Sequence, residues 1–172
     1  MIKGAIPHYF VKMNSLAHLD LCLNYLIRFE GNMSPLSYLN LAYNQPYYTS
    51  QSTGHFLQTI REWVPEAIGS LCSLQTLSLS NNYTLSCDVS CIIETFSGYA
   101  YQSLMHLDLD LAVSISATWA PPFQLYDIHL SGCKVGPPFP HWLATQMNFS
   151  ELDTSNARIL DTFPPYWLAL LI

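Results

Sequence analysis

Apolar residues recur at fixed offsets along the chain, and the offsets define one template. Six twelve-residue windows follow it: 13–24, 33–44, 71–82, 101–112, 122–133 and 146–157. Positions four, seven and nine of every window are apolar, with Thr154 at position nine of the last window as the exception. Positions six, eight and ten between them are mostly polar, so the alternation has the period of a half-buried strand. Each window therefore predicts one short strand with one face inward, and position four anchors the turn that leads into it. A single window cannot bury its apolar face alone, so neighbouring windows are expected to stack, their strands pairing in parallel about 4.8 Å apart.

Position twelve is Asn24, Asn44 and Asn82 in three windows. A buried turn leaves amide and carbonyl groups to be satisfied, and a carboxamide both donates and accepts, so these side chains are expected to bridge adjacent windows. Cys133 fits the same slot as a small, weakly polar residue. Ala112 and Ala157 cannot replace the hydrogen bonds, and local weakness or bridging water is expected there. An apolar residue followed by proline, at Ile6-Pro7, Val64-Pro65, Phe139-Pro140 and Phe163-Pro164, marks the return between windows; the fixed φ and missing donor of proline suit extended or short 3₁₀ structure. The first three stand six positions ahead of a window, and the fourth predicts a further window from Leu170. Segment 45–63 interrupts the spacing and reads as an inserted loop with a short helix.

The outward positions of the strands are the candidate binding surface: His18, Asp20, Tyr38, Asn40, Tyr43, Thr76, Ser78, His106, Asp108, Asp110, Asp127, His129, Glu151 and Asp153. Together they describe a mildly acidic, aromatic-bearing groove for a protein or peptide ligand. Aspartate at position eight also has a plainer role, solvating the exposed face, and few surface residues carry binding energy in any interface.

Composition narrows the function classes. Charged residues are 10% of the 172, with 12 acidic and 6 basic side chains and a formal charge of −6. The basic residues Lys3, Lys12, Arg28, Arg61, Lys134 and Arg158 are scattered, so nothing tracks a phosphate backbone and no nucleic-acid partner is expected. The longest apolar run, 166–172, is far shorter than the roughly 20 residues of a spanning helix, and residues 1–12 do not read as a signal peptide. No hydrolase elbow, phosphate-binding Gly-rich loop or His-Glu-x-x-His motif occurs, and no enzymatic activity or cofactor is expected. The five cysteines form no dense framework: Cys22 and Cys72 sit in repeat positions and read as free thiols, while Cys87 and Cys91 could pair only at suitable Cα separation. A metal site would need more ligands than these and His106 supply. Sequons occur at Asn32, Asn82 and Asn148; the first and third lie in entering turns and are the candidate glycosylation sites, whereas Asn82 is claimed by the inward position.

The windows, together with Ile2-x-Gly4-x-Ile6-Pro7, resemble the plant-specific class of leucine-rich repeats, and more narrowly the plant cell-surface receptor-like proteins that include receptors for a fungal xylanase elicitor. Segments 2–21, 64–82 and 119–159 carry the likeness, about half the chain. The resemblance implies an α/β solenoid, a right-handed leucine-rich-repeat superhelix with short parallel strands on its concave face and irregular or 3₁₀ returns, running through all 172 residues as one fragment. It further implies an extracellular position at the plasma membrane, a role in defence or developmental signalling, and a co-receptor kinase as partner. The sequence departs from the family pattern in its uneven spacing, in the lost Gly-x-Ile-Pro return of the first interval, and in a jump between Leu111 and Pro121. A truncated or degenerate remnant, or an intracellular scaffold without a specific ligand, is the alternative reading. The apolar run 168–172 predicts a sticky edge and a marginal or aggregating fragment.

Overall fold

The computed structural model of the chain describes residues 1–6, 8–28, 35–44, 71–82, 103–110, 114–116, 119–121 and 123–168. The expected insertion at 45–63, the sequon Asn32, the pair Cys87 and Cys91, Ala112 and the terminal run 169–172 lie outside these residues.

Eight strands occur among the described residues: β1 (Lys3–Ala5), β2 (His18–Asp20), β3 (Tyr25–Arg28), β4 (Tyr38–Asn40), β5 (Thr76–Ser78), β6 (His106–Asp108), β7 (Asp127–His129) and β8 (Glu151–Asp153). Six of them form one sheet in the order β2-β4-β5-β6-β7-β8, and each occupies positions six to eight of one window. All five pairings are parallel and share one register, position seven facing position seven: Leu19 to Leu39, Leu39 to Leu77, Leu77 to Leu107, Leu107 to Ile128 and Ile128 to Leu152.

The alternation explains why these three-residue segments are strands. Their central side chains point inward, and Leu39, Leu77 and Ile128 are fully buried. Positions four and nine extend the same core on either side, through Leu36, Leu74, Leu104 and Leu125 and through Leu21, Leu41, Leu79, Leu109 and Leu130. Burial of this leucine row drives the assembly. It thins in the last window, where Phe149, Leu152 and Thr154 are only half-buried.

Backbone bonding repeats as regularly as the core. The position-nine amide donates to the position-eight carbonyl of the next window at Leu21 to Asn40, Leu41 to Ser78, Leu79 to Asp108, Leu109 to His129 and Leu130 to Asp153, at 2.8 to 2.9 Å. Position eleven continues the series, with the amides of Leu23, Tyr43, Asn81 and Gly132 reaching the position-ten carbonyls of Ala42, Ser80, Asp110 and Ser155. Position eleven lies in the left-handed region wherever it is described: φ is 55° at Leu23, 55° at Tyr43, 56° at Asn81, 68° at Gly132 and 54° at Asn156. Glycine and asparagine accept this conformation cheaply; Leu23 and Tyr43 hold it at a cost of about 1–2 kcal/mol each.

The position-twelve asparagines link adjacent windows through their side chains. Asn82 accepts the Asn44 amide at 2.9 Å on Oδ1, and its Nδ2 donates to Leu41 O of the preceding window at 2.9 Å and to Leu79 O at 2.8 Å. Asn44 repeats the pattern, accepting from the Leu26 amide and donating to Leu21 and Leu41 carbonyls. Asn24 keeps only the acceptor half across the gap, taking the Ile2 amide, while its donors stay within its own window at the Leu21 and Cys22 carbonyls. At Cys133 the thiol donates to Leu109 O at 3.1 Å, which keeps the donor half of the role. Around Ala157 the backbone is bonded without any side chain: its amide reaches Thr154 O, its carbonyl accepts from Val135 and Gly136, and Leu130 O takes the Cys133 amide. Of the compensation by water expected at the two alanines, none of these Ala157 groups has need.

The returns differ in part from the sequence reading. Ile6-Pro7 is followed by a 3₁₀ turn at His8–Lys12, and Phe139-Pro140 by another at His141–Thr145, in line with the proline marker. The first interval, which lacks Gly-x-Ile-Pro, nevertheless keeps a strand in that place. Its β3 pairs in parallel with β1, Lys3 facing Tyr25 and Gly4 facing Leu26, in a second, two-stranded sheet. Leu26 takes the buried place in this strand and belongs to the common core. After Phe163-Pro164 comes a helical turn, Pro165–Leu168, whose Trp167 is buried against Phe139, Phe149 and Phe163 with ring centroids 5.1 to 5.7 Å apart. That indole covers the half-buried Phe149 of the last window.

Candidate functional site

Parallel register aligns the outward side chains into two rows. Position six contributes His18, Tyr38, Thr76, His106, Asp127 and Glu151, and position eight contributes Asp20, Asn40, Ser78, Asp108, His129 and Asp153. Twelve of the fourteen candidate residues therefore share one sheet face. Asp110, at position ten, stands just past the strand and accepts a long bond from Asn81 at 3.4 Å. Tyr43 stands apart: it has left the strand at position eleven and its exposed ring belongs to the turn.

Neighbouring strands knit the rows together. The His18 imidazole stacks on the Tyr38 ring, centroids 3.9 Å apart and planes within 5°. Asn40 donates to Asp20 at 3.1 Å, Ser78 donates to Asp108 at 2.7 Å, and His106 Nδ1 meets Asp127 Oδ2 at 2.6 Å. His129 Nε2 lies 3.3 Å from Glu151 Oε1, an electrostatic approach without hydrogen-bond geometry. The side chains in these pairs are thus ordered by their neighbours across the strands.

Position eight has a local reason for its carboxylates and carboxamides. Asp20 accepts the Cys22 amide at 2.9 Å, Asn40 the Ala42 amide at 3.0 Å, Asp108 the Asp110 amide at 3.3 Å and Asp153 the Ser155 amide at 2.8 Å. Each closes a two-residue side-chain turn at the strand end. The backbone amide of Cys22 holds the Asp20 carboxyl below the usual carboxylate range, and that of Ser155 does the same for Asp153. At Asp127 partial burial pushes the carboxyl up, but the bonds from His106 and Ser150 and the nearby imidazoles outweigh it and the net direction is down. The Cys22 thiol is pushed up by its bond to Asp20.

Several residues join the face that the alternation alone did not single out. Ser150, one place before β8, donates to Asp127 Oδ1 at 2.9 Å; Tyr126 sets its exposed ring edge-on to His106, centroids 6.1 Å apart; Ser155 and Ser131 pair at 3.0 Å. Position five precedes the strand, so a reading of strand residues passes over Ser150 and Tyr126; Ser131 and Ser155 stand at position ten, where only Asp110 is singled out. Ser150, Asp127 and His106 do not make a nucleophile and base: the serine hydroxyl donates to the carboxylate, not to the imidazole, and activation needs the latter. No group of three or more His, Cys, Asp or Glu able to hold a metal ion occurs among the described residues. The arrangement offers hydrogen bonds, negative charge and aromatic surface, which is the chemistry of recognition. Of the sequons, Asn82 is buried in the ladder and Asn148 is exposed. Among the described residues no helix is long and apolar enough to cross a membrane.

No protein-family model matches the chain. Part of it is similar to two receptor-like proteins of Solanum lycopersicum: EIX1, 48% identical over 68 residues, and EIX2, 46% identical over 68 residues. Each alignment covers 38% of this chain and 7% of the relative. A third relative, receptor-like protein 1 of Arabidopsis thaliana, is 28% identical over 131 residues, covering 61% of this chain and 12% of its own length. The chain thus spans about a tenth of the length of these curated plant receptor-like proteins, and over that span it is similar to them.

Proposed function

We propose that the chain is a non-catalytic protein- or peptide-recognition module of a plant cell-surface receptor-like protein. In this reading the windows are leucine-rich repeats, the stack is a right-handed solenoid, and the six-stranded sheet lines its concave face. Ligands are held along that face at the outer side of the plasma membrane, in defence or developmental signalling, and a co-receptor kinase relays the event. The observation that carries the reading is the row of outward side chains on in-register strands. Six strands spaced by about 4.8 Å give a face about 24 Å across, the length of an extended peptide of about seven residues. Six carboxylates border it, Asp20, Asp108, Asp110, Asp127, Glu151 and Asp153, and no lysine or arginine lies in its rows. A ligand with basic and aromatic side chains fits this chemistry. Similarity to plant receptor-like proteins supports the cell-surface setting.

The reading is tested by selecting binders to the purified chain from a displayed random-peptide library and competing them against a variant. The variant carries Tyr38→Ala, Thr76→Arg and Glu151→Lys, three positions on the face that close no strand-end turn. Loss of most selected binders supports recognition at the face. Retention of the whole selected population, or selection of binders that map only to the returns, contradicts it.

A further inference from the structure

Three Asn-x-Ser/Thr motifs look alike in the sequence, and the fold treats the two described ones in opposite ways. At Asn82 the amide nitrogen is a structural donor, bonded to Leu41 O and Leu79 O, in a residue only 3% exposed. A glycosidic bond at that nitrogen would remove one of its two protons and force a sugar ring into the packed seam between two windows.

Asn148 is exposed in the bend that leads to β8, and its side chain makes no hydrogen bond among the described residues. The backbone beneath it is pinned by two glutamine amides. Gln146, 2% exposed, accepts the Leu125 amide at 2.8 Å and donates to Phe123 O at 3.0 Å. Gln124 accepts the Met147 amide at 2.9 Å and donates to Thr145 O at 2.9 Å. These clamps fix the residues on the N-terminal side of Asn148, which is itself exposed.

We infer that the folded chain carries an N-linked glycan at Asn148 and none at Asn82. The inference rests on the cell-surface reading for the chain's entry into the secretory pathway. The transfer takes an oligosaccharide from a polyprenyl pyrophosphate donor. The bond from sugar C1 to the pyrophosphate oxygen breaks, its electron pair staying with the pyrophosphate; the bond from C1 to Asn148 Nδ2 forms; and one amide proton is released. Because transfer precedes folding, a chain modified at Asn82 cannot complete its ladder and is lost from the folded population. The sugar at Asn148 stands three residues before β8, at the rim of the outward face, where Ser150 meets Asp127.

The test imposes entry: the full chain is translated behind a cleavable signal sequence into endoplasmic-reticulum microsomes, and occupancy is mapped site by site by mass spectrometry. It is measured in the total imported chains and in the protease-resistant, folded fraction. Expected are a glycan on Asn148 in both, no glycan on Asn82 in the folded fraction, and loss of one mobility step in Asn148→Gln with unchanged protease resistance. An unmodified Asn148 in the imported chains overturns the inference, as does a glycan on Asn82 in folded molecules. Since the signal sequence is supplied, neither result depends on the cell-surface reading, which fails separately if the chain in its native setting never leaves the cytosol.

Discussion

Asn82→Ala isolates the side-chain ladder. The substitution deletes one acceptor and one amide donor, so the Asn44 amide and the Leu79 carbonyl lose that partner in a buried seam, while the Leu41 carbonyl keeps its bond from Asn44. A buried backbone group left unsatisfied costs about 1–3 kcal/mol. Two such groups, partly relieved by entering water, give an expected loss of about 2–4 kcal/mol. That is a large share of the roughly 5–15 kcal/mol that stabilises an ordinary domain. With a urea dependence of about 2 kcal/mol/M, the unfolding midpoint should fall by about 1–2 M, followed by far-ultraviolet circular dichroism. Asn82→Cys should recover little of this loss, because the Cys133 thiol shows that sulfur reaches the position-nine carbonyl of the preceding window, here Leu41 O, which Asn44 already serves. Asn82→Asp keeps the acceptor but turns a carboxylate toward two carbonyls, so it should be no better than alanine. A midpoint for Asn82→Ala within about 0.25 M of the parent would refute the ladder as a source of stability.

Other outcomes follow from the same geometry. Leu23→Asn should stabilise the chain by about 0.5–1 kcal/mol in the same assay, since Leu23 is 66% exposed and held at a φ of 55° that asparagine tolerates better; a destabilised variant would mean the left-handed turn carries no strain there. Gly136→Ala should cost about 1–3 kcal/mol, because a Cβ at that position would overlap the Arg158 carbonyl; an unchanged melting temperature would show that the two segments part freely. The lowered carboxyls of Asp20 and Asp153 contribute stability that is present above the unfolded carboxylate value of about 3.9 and is lost as pH falls through their lower folded values. Stability should therefore drop on acidification below about pH 4, and less steeply in Asp20→Asn with Asp153→Asn, since Asn40 shows that a carboxamide closes the same turn. An acid profile identical to the parent's would count against these bonds.

The strands were legible because their signal is periodic. Alternation around Leu19, Leu39, Leu77, Leu107, Ile128 and Leu152 marks the three residues that pair, and the asparagines at position twelve announce a buried backbone to be satisfied. What escaped the pattern was set by contacts across windows. The left-handed position eleven is hinted at by Asn81, Gly132 and Asn156, but Leu23 and Tyr43 hide it, because there the amide's bond to the next window overrides the residue's own preference. The β1–β3 sheet lacks its motif on one side and depends on a partner 22 residues away. Gln146 does at the start of a window what asparagine does at the end, yet nothing in its neighbours distinguishes it from a surface glutamine. Within the site, the rows were readable from the strand period, whereas Ser150 and Tyr126 joined through side-chain reach from position five. Tyr43 was placed on the face by sequence and in the turn by structure, since position eleven lies beyond the strand in the left-handed turn.

Methyl-to-methyl nuclear Overhauser contacts along position seven test the stacking itself. The account predicts one unbranched series, Leu19 to Leu39 to Leu77 to Leu107 to Ile128 to Leu152, joining residues 20 to 38 apart in sequence and skipping none. Contacts that instead join these leucines to residues three or four away on their own segment, or that pair the strands in reverse order, would contradict it.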